Sequence, residues 1–114
     1  TATAAPVSCS PRPRVRVDVS RADSTSLRAT IGAGAGTLSR IAFGSGRSLV
    51  NVSIDIAGGP SGQRSAFTYT PASGASQVTF TARQIVAGQP MMASFLAVDS
   101  CGEWPSFVAA GGAL

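Results

Sequence analysis

The chain contains neither histidine nor lysine, and besides arginine its ionisable side chains are five carboxylates, one tyrosine and two cysteines. A serine or cysteine nucleophile is normally activated by a neighbouring histidine or lysine, so Ser-His-Asp and Ser-Lys hydrolysis are excluded from the outset. A structural zinc needs about four ligands, where this chain offers two thiols without CxxC spacing. The carboxylates Asp18, Asp23, Asp55, Asp99 and Glu103 form no short paired motif of the glycosidase or calcium-loop kind. Asp99 and Glu103 flank Cys101, and their plainer reading is as loop carboxylates bonding turn amides rather than as a cation site. The expectation is a protein that is not an enzyme and carries no metal or cofactor.

Aromatic residues are scarce as well, at 6%, with a single tryptophan and a single tyrosine. The net charge of +4 comes from nine arginines scattered from Arg12 to Arg83, of which only Arg12, Arg14 and Arg16 lie close together. No aromatics alternate with them to stack bases, so nucleic acid is not an expected partner. No apolar run approaches the ~18 to 20 residues that span a bilayer, and no charged, apolar, small-residue signal opens the sequence. These absences predict a mature soluble domain without a membrane span. Arginine without lysine, amid abundant alanine and glycine, resembles coding in a GC-rich bacterial genome.

What is present is alternation. A chain of 114 residues has the size of one domain with a two-layer core. Thr1 to Ser8 has the small-residue composition of a linker, and residues 109–114 that of an uncharged C-terminal tail, leaving 9–108 as the folded unit. Val15, Val17 and Val19 alternate with Arg14, Arg16 and Asp18 after two prolines. Leu27, Ala29 and Ile31 repeat the pattern before the glycine cluster "GAGAG". Further short strands are expected in "LSRIAF", in "LVNVSIDI" with Val50, Val52, Ile54 and Ile56 on one face, at Phe67 to Tyr69, in "QVTFTARQIV", and in "MMASFLAVD". Seven strands at roughly ten-residue spacing, punctuated by Gly, Pro, Asn and Ser, predict an all-β antiparallel sandwich with Greek-key connections. Period two selects Val15, Val17, Leu27, Ile31, Val50, Val52, Ile54, Phe67, Val78, Phe80 and Phe95 as its core. In the seventh strand Leu96 and Val98 oppose Met91, Ala93, Phe95 and Ala97, so apolar side chains occupy both faces, and the outer one invites a cover. "GAGAG" has the glycines of a phosphate loop but no helix after it, so the dinucleotide fingerprint fails.

Cys9 precedes the first strand and Cys101 follows the last expected one. An even cysteine count and the lack of thiol-activating neighbours favour a disulfide closing 92 residues over structural or reactive thiols. Trp104 then reads as a hydrophobic lid over that clasp, with the segment to Val108 folded back on the domain. With the other phenylalanines assigned to strands, Tyr69, Trp104 and Phe107 remain as the candidate contact surface, a thin platform for a flat polysaccharide.

The segments "CSPRPRVRVDV", "TFTARQIVAGQP" and "VDSCGEWPSFVAAGG" together resemble the immunoglobulin-like modules at the ends of large secreted or surface-anchored bacterial proteins. The likeness spans Cys9 to Gly112, with its specific part at the two ends, and "FVAAGG" is poorer in glycine than the family's tail. The resemblance implies a non-catalytic immunoglobulin-like module, secreted or displayed at the cell surface, with a structural or adhesive role. Its partners would be other domains of the same polypeptide, neighbouring subunits or cell-surface polysaccharide. The alternatives are an accessory carbohydrate-binding module of a secreted hydrolase, and a filament subunit assembling through its tails.

Overall fold

The structure is a computed structural model that describes Cys9, Pro11, residues 13–44 and residues 49–111. The expected linker, residues 1–8, lies outside the described residues, as do 112–114 of the expected tail. Among the described residues there is no helix, and eight strands form: β1 (Arg16–Asp23), β2 (Ser26–Gly32), β3 (Arg40–Phe43), β4 (Val52–Ile56), β5 (Phe67–Tyr69), β6 (Gln77–Gln84), β7 (Met91–Asp99) and β8 (Gly102–Ala110). They build two antiparallel four-stranded sheets, ordered β1-β2-β6-β4 and β5-β3-β7-β8. Strand β1 ends in a turn closed by Asp23, whose carboxylate accepts the Thr25 amide at 2.8 Å. That backbone bond holds the carboxyl below its ordinary range.

The period-two reading locates the core. Ala29, Ile31, Ile54, Phe80 and Ala82 of the first sheet face Ile41, Phe43, Phe95 and Ala97 of the second, all essentially without solvent contact. Phe80 stands edge-on to Phe43 at 5.2 Å and to Phe95 at 5.9 Å, joining the sheets through aromatic contacts of the favoured geometry. Phe67 stacks on Phe43 at 4.8 Å and closes one edge.

The strand count exceeds the expected seven because the fold-back from Trp104 to Val108 is a full strand. It pairs with β7 from Asp99↔Gly102 to Met91↔Ala110, so Ala109 and Ala110 belong to the sheet rather than to a tail. Pro105 and the small residues around it disguise the alternation. The proline is tolerated because β8 is the last strand of its sheet, where one ladder donor can be missing.

Two of the valines placed in phase with the core leave it. Val19 is 48% exposed on β1, an edge strand of which every residue but Val17 is exposed. Val50 is 39% exposed, for a different reason. It bridges Met92 of the second sheet, whereas Val52 pairs with Gln84 of the first. Between them Asn51 adopts φ 51°, a left-handed conformation that asparagine accepts more readily than branched residues, and its Nδ2 donates to the Pro90 carbonyl at 2.9 Å. The chain turns this corner from one sheet to the other, so the alternation restarts and Val50 falls on the outside.

Candidate functional site

Three segments converge at one end of the sandwich: the approach to β1, the glycine loop after β2, and the turn between β7 and β8. Cys9 and Cys101 are bonded there, with Cα atoms 5.6 Å apart. Beside them Asp99 is buried, and its carboxylate does the work of an anion in the "GAGAG" loop. Oδ2 accepts the amides of Gly34 at 2.9 Å and Ala35 at 3.2 Å, while Oδ1 accepts the Cys101 amide at 2.8 Å. The Ser100 amide returns a bond to the Ala35 carbonyl at 3.1 Å. A Cβ at Gly34 would collide with the Pro13 carbonyl oxygen, and one at Gly36, whose φ is 65°, with Ser100 Oγ. Gly34 and Gly36 are therefore demanded by close approach of neighbouring chain. The loop does cradle an anion, but an internal one, and the signal in the sequence was the aspartate two residues before Cys101.

Asp99 thus bonds turn amides, as read. Glu103 is engaged elsewhere, in an exposed ion pair with Arg40 at 3.6 Å. Among the described residues no three carboxylate or thiol groups gather where they could hold a metal ion. Replacing Asp99 by alanine strands three amides and is expected to cost about 2 to 4 kcal/mol, since each buried unsatisfied donor costs roughly 1 to 3 kcal/mol less what water recovers. Asp99→Asn should lose less, because its amide oxygen still accepts. Denaturant titration measures both, and a loss below about 0.5 kcal/mol for Asp99→Ala would remove the carboxylate from the clasp.

The three candidate contact rings are not brought together. Tyr69 on β5 and Trp104 on β8 are partly buried and pack against the core, at opposite edges of the second sheet. Phe107, three residues beyond Trp104, turns to the other face of β8 and is 54% exposed. Its surroundings are the more informative feature. Cross-strand partners share a face, so Thr68, Ala42, Leu96 and Pro105 form one row outside the second sheet and Val50, Met92 and Ala109 another, with Phe107 opposite Ser94 between them. Charge enters that face at the Arg40–Glu103 pair. The first sheet is the reverse: its outer face carries Arg28, Thr30, Thr79, Thr81 and Arg83, with Thr30 and Thr79 hydroxyls 3.2 Å apart and Arg83 paired to Asp55 at 3.3 Å. One outer face is polar, and the other sets apolar side chains around Phe107 among Thr68, Ser94 and the ion pair.

Comparison of the chain with protein-family models, with curated proteins and with solved structures finds no match.

Proposed function

We propose that the chain is a non-catalytic immunoglobulin-like module of an exported bacterial protein, structural or adhesive in role, that docks against a neighbouring domain or subunit through the outer face of its second sheet. The exposed Phe107 and the apolar side chains flanking it carry this reading, because apolar surface left exposed on a small domain is an interaction surface or an aggregation hazard. The strand order supports the fold assignment. β1-β2-β6-β4 follows the A-B-E-D sheet of a constant-type immunoglobulin domain, and β3, β7 and β8 follow C, F and G, with β5 added beside C. The departure from that scheme is β5, which follows the first-sheet edge strand β4 in sequence but lies in the second sheet, before the chain returns to β6. The Cys9–Cys101 bridge is the chemistry of an oxidising compartment, which fits secretion or surface display.

Sedimentation of the wild type and of Phe107→Asp across micromolar to millimolar concentration tests the docking face. The expected result is association of the wild type that the charge abolishes, with thermal stability unchanged because Phe107 is outside the core. A wild type that stays monomeric over that range, and whose outer-face signals are unmoved when the adjoining domains of its polypeptide are present, would remove this reading.

A further inference from the structure

Gly32, the last residue of β2, has no conformational reason to be glycine: its φ is not in the left-handed region, and a Cβ there would meet nothing closer than Arg16 Cβ at 3.7 Å, an ordinary contact. Although it ends β2, Gly32 is paired on both sides, to Arg16 and Gln77, and a glycine within the ladder forgoes side-chain packing and leaves room for something else to approach the backbone. Here its bare backbone is the floor of a depression of about 220 Å³ on the polar outer face of the first sheet. The register shows how the gap arises. Arg16, Gly32 and Gln77 are opposite one another on β1, β2 and β6, and the next row is Asp18, Thr30 and Thr79. Strands two apart are separated by about 10 Å, so Arg16 and Gln77 stand on either side of a vacancy one ring wide. Asp18 and Thr30 close one end, and Ala33 and Ser76 the other.

We infer that this depression is a binding site for a single sugar ring, held by its hydroxyl groups. The wall alternates donors and acceptors: a planar guanidinium, a carboxylate, a carboxamide and two hydroxyls. Adjacent hydroxyls on a ring are matched by such planar side chains, which give or take two hydrogen bonds at once. Asp18 beside Arg16 opposes a phosphate or sulfate, and the mixed signs favour a neutral ligand. The volume lies below the roughly 300 Å³ of the smallest drug-sized sites, which suits one ring and not a chain lying flat. No aromatic platform is required, because the ring is gripped at its edge. This site is on the opposite sheet from the Phe107 face and stands independently of the docking reading.

Amide chemical shifts of the uniformly labelled protein, titrated separately with glucose, galactose, mannose and N-acetylglucosamine up to about 100 mM, test the inference against the millimolar constant that so shallow a site should have. At least one sugar should give saturable shifts centred on Arg16, Asp18, Thr30, Gly32 and Gln77. Gly32→Val fills the floor with a residue that suits a strand, so it should weaken binding at least tenfold while the thermal midpoint holds or rises. Asp18→Asn, which leaves the backbone untouched, should weaken it severalfold. Titrations with inorganic phosphate and with glycine serve as comparisons. The inference fails if no sugar gives saturable shifts, if the shifts persist unchanged in both variants, or if phosphate or glycine binds this site more tightly than every sugar.

Discussion

Reducing the Cys9–Cys101 bridge is expected to lower the stability of the domain by about 4 to 5 kcal/mol, the chain-entropy value for a loop of this length. The bridge closes 92 residues, so seven of the eight strands lie inside it and β8 follows it. Against a total of roughly 5 to 15 kcal/mol for a small domain, that loss brings the reduced protein close to unfolding at physiological temperature. Denaturant curves with and without reductant, and of Cys9→Ser with Cys101→Ser, measure it. Intact mass should show a two-hydrogen difference on reduction and no alkylation before it. A change below about 1 kcal/mol would mean that the unfolded chain gains little freedom when the bridge opens. Because the Cys101 amide is bonded to Asp99, the bridge and the carboxylate act on the same turn. Combining Asp99→Ala with reduction should therefore depart from additivity, as coupled neighbours do.

Truncating Phe80 to alanine is expected to cost about 3 to 5 kcal/mol. The ring has no solvent contact and touches Phe43 and Phe95 of the opposite sheet. Neither sheet can collapse into the space left behind, since each is held in register by its ladders, so the transfer loss and the cavity add. The denaturation midpoint should fall with the slope unchanged. Phe107→Ala provides the internal comparison and should change the isolated domain's stability by less than about 0.5 kcal/mol, being a surface truncation. Equal costs for the two would mean that the faces of their strands had been exchanged.

How much of this was legible before any coordinates depends on the range of the interaction. Val78, Phe80 and Ala82 alternate with threonines, and alternation is a local consequence of the pleat, so their burial could be read directly. The cysteine pair was legible for a comparable reason: its two members bracket the expected strands, and the chain offers no histidine or lysine to activate a thiol. The eighth strand was not legible as one, because Pro105 is compatible with a strand only at a sheet edge, and which strand lies at the edge is a property of the assembled sheet. Nor was the anion in the glycine loop. Asp99 lies more than sixty residues from Gly34, and only the fold joins them.

The sequence by itself determined that the described chain is built of strands, where most of its core lies, and that its two cysteines pair, because strand periodicity, turn residues and the inventory of reactive groups are properties of short stretches or of composition. The tertiary structure alone decided which strands share a sheet, the switch at Asn51 that sends Val50 outward, the apolar side chains around Phe107, and the polar hollow over Gly32. Each of these depends on which strands become neighbours, and neighbours across a sheet are chosen by the packing of the whole domain rather than by the residues beside them in the chain.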